Sequence, residues 1–234
     1  QALVESLKTV AAHISRTLGK ERFYNYLRRF GFGDLTGVDL ASEGPGMMKY
    51  PGVSNWFPSE LATNSFGQGI AVTPIQMITA CAAVANDGML MKPHIVHKLI
   101  TVDEHGNVRD VIEIKPTTVR QAISKDAAQD LTEILVEVVE QQADKARVPG
   151  YRVAGKTGTA QIPTPFGYHR KDTIVSFVGY LPADDPQLIN LVKLDRPKSS
   201  RWANRTAAPV FGAIAERLVA YLQIPPDEIR LAEQ

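Results

Sequence analysis

Residues 153–161 are Val-Ala-Gly-Lys-Thr-Gly-Thr-Ala-Gln, and the Lys-Thr-Gly triplet at 156–158 decides how the chain is interpreted. Together with Gly150, the same stretch also matches Gly-x-x-x-x-Gly-Lys-Thr, the phosphate-binding loop of nucleotide-binding proteins. Such a loop needs a helix directly after its threonine, because the helix N-terminus and the loop amides hold the phosphates. Gly158 and Pro163 follow instead, and both disfavour a helix. The context therefore favours a β-strand over a nucleotide site.

The segments on either side of this strand predict an α+β fold, with an antiparallel sheet flanked by helices. Helical patterns come first, adjacent strands follow, and a helix ends the series, which is typical of this class. The predicted helices are 2–18, 21–30, one that begins with a capping box at Thr73-Pro74-Ile75-Gln76 and ends at 86–88, one capped by Ser124, and 206–222. The predicted strands are 94–102 and 108–114 around a turn, then 151–161, 173–181 and 187–195.

Composition limits the classes of function. Hydrophobic residues make up 44% of the 234 positions, enough for a sizeable core. The formal net charge is +1, which gives no reason to expect nucleic-acid binding. No apolar run reaches the roughly 18 residues of a membrane span. Cys81 is the only cysteine and lies among alanines, so we expect a small buried residue.

The triplet strand has a plausible chemistry if it lies at the edge of a cleft. The Lys156 cation and neighbouring hydroxyls can bind a substrate carboxylate, and Gly158 lets the backbone approach a ligand closely. A backbone N–H on the same strand can supply half of an oxyanion hole for acyl transfer. The triplet by itself is a weak signal, because such tripeptides arise often by chance.

A wider resemblance supports this chemistry. The triplet is one of three signature motifs of penicillin-binding proteins and serine β-lactamases. Further segments, in the same order, resemble class B penicillin-binding proteins, which are peptidoglycan D,D-transpeptidases: residues 29–33, 36–40, 62–70, 72–77, 176–183 and 207–211. These segments cover nearly the whole chain. The resemblance implies a five-stranded antiparallel sheet flanked by helices, incomplete here on the N-terminal side, with a transpeptidase domain over 1–223 and a C-terminal tail over 224–234.

The resemblance also implies roles for individual residues. Lys156 and Thr157 would bind the terminal carboxylate of a D-Ala-D-Ala stem peptide or of a β-lactam. Thr159 would add its hydroxyl to that contact and its N–H to the oxyanion hole, or else be an ordinary strand threonine. Gly158 would provide clearance. Ser6 would be the serine of the family's Ser-x-Asn motif, which relays a proton to the leaving group.

The chain departs from the family pattern in two respects. Lys8 stands where the family has asparagine, and could repel Lys156, bind a substrate carbonyl, or simply face solvent. No serine of the chain is followed three residues later by lysine, so the Ser-x-x-Lys nucleophile is absent. In the family that segment precedes Ser6, and we expect it upstream of Gln1 with a membrane anchor and a non-catalytic region.

The function implied by the resemblance is peptidoglycan cross-linking by an extracytoplasmic serine acyltransferase that also binds β-lactams. Its partners would be stem peptides, the upstream part of the same protein, and proteins of cell elongation or division. The alternative is a non-catalytic β-lactam-sensing or scaffold domain. We expect no cofactor and no metal, since His94 and His97 would face opposite sides of a strand. Trp56, Phe57, Tyr168 and His169 could either line the cleft or pack their loops.

Overall fold

The computed structural model describes residues 1–53, 55–164 and 167–232. Within these ranges the helices are α1 (Lys8–Leu18), α2 (Lys20–Arg29), α3 (Ser59–Asn64), α4 (Pro74–Ala85), α5 (Lys125–Gln142), α6 (Ala207–Tyr221) and α7 (Asp227–Ala232). The strands are β1 (Met89–Lys92), β2 (Lys98–Val102), β3 (Val108–Glu113), β4 (Thr117–Gln121), β5 (Ala154–Thr164), β6 (Gly167–Leu181) and β7 (Leu188–Asp195). Among the described residues, no helix is long and apolar enough to cross a membrane.

The central sheet has the order β5-β6-β7 and is antiparallel throughout. Lys156 lies opposite Val178, which in turn lies opposite Leu191. The predicted antiparallel sheet is therefore confirmed for these three strands, although β5 begins three residues later and extends further than expected. The resemblance implies five strands in this sheet, and the described residues of this chain supply three.

Gly155 on β5 and Gly179 on β6 lie opposite each other, and both have a packing reason. A Cβ atom on Gly155 would lie 2.6 Å from Cζ of Phe177, and one on Gly179 would lie 2.9 Å from Cε1 of the same ring. The Phe177 ring thus covers two adjacent glycines and packs on Phe211 of α6, with 4.7 Å between ring centroids. These fully buried aromatic rings form the centre of the core and join α6 to the sheet.

Helix α5 packs against the other face of the sheet. Ser124 caps it as predicted, because its Oγ accepts the N–H of Ala127 at 3.3 Å. Side chains alternate along a strand, so Tyr180 lies on the face opposite Phe177. The Tyr180 hydroxyl meets that of Thr132 on α5 at 2.7 Å in the interior, and burial raises the pKa of Tyr180 to about 12.

The helical layer confirms one predicted helix start and corrects another. Thr73 and Gln76 form the expected capping box at the start of α4. Helix α1 was predicted from residue 2 but begins at Lys8, because Ser6 has a left-handed φ of 53° that an α-helix cannot include. Residues 1–7 form hydrogen-bonded turns instead, anchored by the buried side chain of Val4.

Strands β2 and β3 form a separate two-stranded ribbon in which every residue is exposed. The Asp103 carboxylate accepts the N–H groups of His105 and Asn107, which closes the predicted turn. The strand predicted from His94 begins only at Lys98. In the preceding linker, 94–97, the N–H groups of Ile95 and Val96 donate to the Asp39 carboxylate and not to a partner strand.

The segment predicted as a tail, 224–234, packs against the body of the chain over its described part, and residues 233 and 234 lie outside the described residues. The Asp227 carboxylate accepts the backbone N–H of Arg152 at 2.6 Å. The Arg230 guanidinium donates to Asp184 at 2.8 Å and to Asp227 at 2.7 Å. Helix α7 therefore connects the segment before β5 to the turn between β6 and β7.

Candidate active site

Strand β5 places Lys156 at the centre of the candidate site. Lys156 lies within β5, which continues past Thr157, so this segment lacks the strand-loop-helix geometry that a phosphate-binding loop requires. The Lys156 ammonium donates a hydrogen bond to the Ser6 hydroxyl, with 2.5 Å between Nζ and Oγ. The fold thus joins two predicted site residues that are 150 positions apart in the sequence.

The local environment changes the acidity of this lysine. Burial lowers the pKa of Lys156 below its usual value, because the charged form is less well solvated there. Alternation along β5 directs Lys156 and Gly158 to the face opposite Thr157 and Thr159. The flexible lysine chain nevertheless brings Nζ to 3.3 Å from the Thr157 carbonyl oxygen and 3.4 Å from its hydroxyl. The cation is therefore held by neutral oxygens.

The turn before α1 presents Ser6 to β5. The N–H of Ser6 donates to the Leu3 carbonyl and that of Leu7 to the Ala2 carbonyl, which fixes the turn. The left-handed backbone of Ser6 costs on the order of 1 kcal/mol for a non-glycine residue. Strain of this kind concentrates at functional sites, where the surrounding structure maintains it.

The remaining residues of the strand differ in accessibility. Thr157 and Gly158 are half-buried, whereas Thr159 is exposed and can be reached by a ligand. A Cβ atom on Gly158 would lie 2.5 Å from Oγ of Ser176 on β6. The glycine therefore leaves room for the Ser176 hydroxyl, in addition to any clearance for substrate. Ser176 is a neighbour of the site that the sequence analysis quoted only as part of a motif.

Lys8, at the start of α1, contacts an aromatic ring and makes no described contact with Lys156. Its Nζ lies 5.6 Å from the ring centroid of Phe66, within the range of a cation–π interaction. Phe66 lies in the 62–70 segment that resembles the family, but nothing in the sequence indicated that its ring would contact Lys8. The Lys8 ammonium is thus partly oriented by Phe66, and solvent still reaches the residue.

Four side chains were expected either to line the cleft or to pack their loops, and the structure shows the surroundings of each. Trp56 packs its loop onto the body, because its Nε1 donates to the buried Tyr24 hydroxyl at 2.8 Å. Phe57 and Tyr168 are exposed. Nδ1 of His169 accepts the N–H of Asp172 at 3.0 Å, a contact within its own hairpin.

The described ranges contain no group of three or more His, Cys, Asp or Glu side chains arranged to hold a metal ion. His94 lies in the linker before β2, where its Nδ1 bonds to the carbonyl oxygen of Val96 at 3.0 Å. The groups that the described site offers are consequently an ammonium, hydroxyls and backbone N–H groups, which suit the binding of a carboxylate and of a developing oxyanion.

Relatives of known name match most of the chain. Stage V sporulation protein D of Bacillus subtilis is 38% identical over 215 residues, which are 91% of this chain and 32% of that protein. Peptidoglycan D,D-transpeptidase FtsI of Escherichia coli is 28% identical over 213 residues, covering 88% of this chain and 33% of that protein. The chain spans about a third of the length of these relatives.

Solved structures match equally broadly. Penicillin-binding protein 3 of Mycobacterium tuberculosis, crystallised with aztreonam, superposes with a TM-score of 0.83 at 31% identity, covering 96% of this chain and 51% of that one. The transpeptidase domain of penicillin-binding protein 3 from Burkholderia pseudomallei gives 0.82 at 29% identity, over 97% of this chain and 65% of that one. These matches confirm the α+β fold expected from the resemblance.

The family model described as the penicillin-binding protein transpeptidase domain matches residues 1–216. That range includes Ser6, the whole of β5, β6 and β7, and the beginning of α6 up to Glu216. The chain therefore belongs to the penicillin-binding protein transpeptidase family.

Proposed function

We propose that this chain forms the substrate-binding part of a peptidoglycan D,D-transpeptidase that is also acylated by β-lactams. The observation that carries the proposal is the hydrogen bond of 2.5 Å between Lys156 and Ser6. It assembles a cation and a hydroxyl from distant segments at the edge strand that the family uses for substrate. Relatives named D,D-transpeptidases and a relative crystallised with aztreonam support the same chemistry.

Strand β5 would bind the D-Ala-D-Ala end of a stem peptide. The Lys156 ammonium and the Thr157 and Thr159 hydroxyls would hold its terminal carboxylate, since hydrogen bonds between ionised partners are about twice as strong as neutral ones. The N–H of Thr159 would donate to the oxyanion formed at the scissile carbonyl. Gly158 would keep the backbone close to the ligand. A β-lactam would present its own carboxylate to the same groups.

Ser6 would relay a proton to the leaving group. Because a protonated amine only donates, Ser6 accepts from Lys156, which leaves its own O–H to donate to a leaving group. Because its pKa is lowered, Lys156 gives up its proton more readily than an ordinary lysine does, and this helps the pair to pass a proton on.

The nucleophile would come from residues outside the printed sequence. No serine here has a lysine one turn later, and an unactivated hydroxyl is a poor nucleophile. We propose an upstream Ser-x-x-Lys segment, with a membrane anchor that places the enzyme on the outer side of the cytoplasmic membrane. Proteins of cell elongation or division would be its partners, and residues 1–223 would form the transpeptidase unit.

Labelling with a fluorescent penicillin tests this proposal. The chain as printed should acquire no penicilloyl adduct by intact-mass spectrometry, whereas the protein with its upstream segment should be labelled stoichiometrically. A stoichiometric adduct on the printed chain would show that the nucleophile is misplaced. Absence of labelling in the complete, folded protein would refute the enzymatic proposal.

A second candidate function, a β-lactam-sensing or scaffold domain, is favoured by Lys8. The family has asparagine at this position, and here a cation oriented by Phe66 replaces an amide. Turnover of stem peptides by the Lys8→Asn variant and by the unchanged protein distinguishes the enzyme from the sensing domain. An enzyme whose Lys8 binds substrate should change its KM for stem peptides, whereas a domain that only senses β-lactams should turn over no stem peptide with either residue.

A further inference from the structure

A cavity of about 320 Å³ lies at the base of the β2–β3 ribbon, away from β5. It is bounded by the 94–97 linker and by the ends of strands β1 and β4, where Lys92 pairs with Thr117. This volume is at the lower end of the range found for small-molecule sites, about 300–1,000 Å³. The proposed transpeptidase chemistry uses none of the residues that line it.

One side of the cavity is basic. Lys92 and Lys115 line it together with His94. The Lys92 stem packs over Gly37, where an added Cβ would lie 3.2 Å from Cε of the lysine. Within the described residues, no salt bridge engages Lys92 or Lys115.

The one carboxylate of the cavity lining is already bonded to the backbone. Asp39 accepts the N–H groups of Ile95 and Val96 at 2.7 and 2.8 Å. These bonds hold the pKa of Asp39 below its usual value, so it remains ionised and fixes the linker. Two ammonium groups against one carboxylate leave the lining with a net positive charge.

The opposite side of the cavity is apolar and continues onto the ribbon. Val96, Leu99 and Ile114 line it, and 52% of the Leu99 surface is exposed. Ile112 lies directly opposite Leu99 on the same face of the ribbon and is also 52% exposed. An apolar strip therefore leads out of a basic cavity. Contiguous exposed apolar surface of this kind marks interaction sites on soluble proteins.

We infer that this cavity binds an amphiphilic anion, with a phosphate head between Lys92 and Lys115 and an aliphatic chain along Leu99 and Ile112. The two ammonium groups supply charge-assisted hydrogen bonds to the head. The aliphatic chain of the ligand covers the exposed surface of the apolar strip, and removing this surface from water favours binding. The ligand is either a free alkyl phosphate or the headgroup and first chain segment of an anionic lipid, because both present the same chemistry to these side chains.

Calorimetric titration of the full protein with octyl phosphate, below its micelle concentration, tests the inference. Octyl phosphate should bind at least tenfold more tightly than inorganic phosphate or the neutral octyl glucoside. The double variant Lys92→Gln/Lys115→Gln should weaken binding at least tenfold, and Leu99→Ser should also weaken it. Lys98→Gln is the matched control for the single variants Lys92→Gln and Lys115→Gln, because it also removes one charge, from a ribbon residue outside the cavity, and should change binding less than twofold.

Vesicles separate the two sources of the ligand. Sedimentation with phosphatidylglycerol vesicles, lost in the double lysine variant and absent with phosphatidylcholine, would identify a lipid headgroup. Binding of octyl phosphate without sedimentation would identify a free amphiphile. No preference for octyl phosphate, or equal loss in Lys98→Gln, overturns the inference. Penicillin labelling should be unchanged in every variant, so failure here is distinct from failure of the proposed transpeptidase.

Discussion

Replacing Gly155→Ala tests whether the Phe177 ring sets the position of β5. The added Cβ would lie 2.6 Å from Cζ of Phe177 and 2.9 Å from the Val178 carbonyl oxygen. Ordinary van der Waals contact begins at 3.4 Å, so the added Cβ and Cζ of Phe177, at 2.6 Å, would be 0.8 Å too close. The ring has little room to move, because it packs on Phe211 and over Gly179. The strand itself must shift.

Overpacking of a dense core costs about 1–3 kcal/mol, and involvement of a backbone carbonyl places this variant near the upper limit. We expect a loss of about 2–3 kcal/mol in the free energy of unfolding, measured by denaturant titration with an unchanged m-value. A domain of this size should lose roughly 5–10 °C in melting temperature. Because Lys156 follows directly, penicillin labelling of the complete protein should also slow.

Two comparisons make this prediction refutable. Gly44→Ala introduces the same methyl group where the nearest atom lies 4.0 Å away, and should change stability by about 0.5 kcal/mol or less. Phe177→Leu removes the clashing ring atoms, so the double variant with Gly155→Ala should lose less than the two single losses added together. A loss below about 0.5 kcal/mol for Gly155→Ala, or strict additivity, would refute the packing argument.

Three further predictions concern the site and its support. In the complete protein, Lys156→Ala should slow penicillin acylation about 100-fold, which is the scale for losing a positioned electrostatic contact. A change below threefold in stopped-flow labelling would show that Lys156 is not part of the site. Because the pKa of Lys156 is lowered on folding, the unfolded chain binds more protons between that lowered value and 10.5, so stability should rise with pH in this window. The rise should vanish in Lys156→Met, as followed by denaturant titration at several pH values. Tyr180→Phe should cost about 1 kcal/mol by losing its hydrogen bond to Thr132, and should remove one tyrosine that ionises near pH 12 in absorbance titration.

Local signals predicted the elements that depend on neighbouring residues. The capping box at Thr73 and Gln76 located the start of α4, because both its hydrogen bonds are made within four residues. The three strands of the central sheet were found from their pattern and from the turn between β6 and β7. Their antiparallel pairing follows from that short connection.

Features that depend on distant residues were missed. Because of the left-handed backbone of Ser6, helix α1 begins six residues later than predicted, and no sequence pattern indicates such a conformation for serine. Glycine is disfavoured inside a strand, and only the distant Phe177 ring explains why Gly155 stands in β5. The resemblance assigned both Ser6 and Lys156 to the site, but their hydrogen bond was not predicted, because no periodicity relates positions 150 apart.

The connection made by α7 bears on how this protein can be handled. Asp227 accepts the N–H of Arg152, which lies four residues before Lys156, and Arg230 ties the same helix to Asp184. A deletion of residues 227–232 would leave the Arg152 N–H without this acceptor and free the two ends that the helix joins. Shortened versions made for crystallisation or screening should therefore keep these residues, because an apparent loss of drug affinity in a trimmed protein would report a loosened strand and say nothing about the inhibitor.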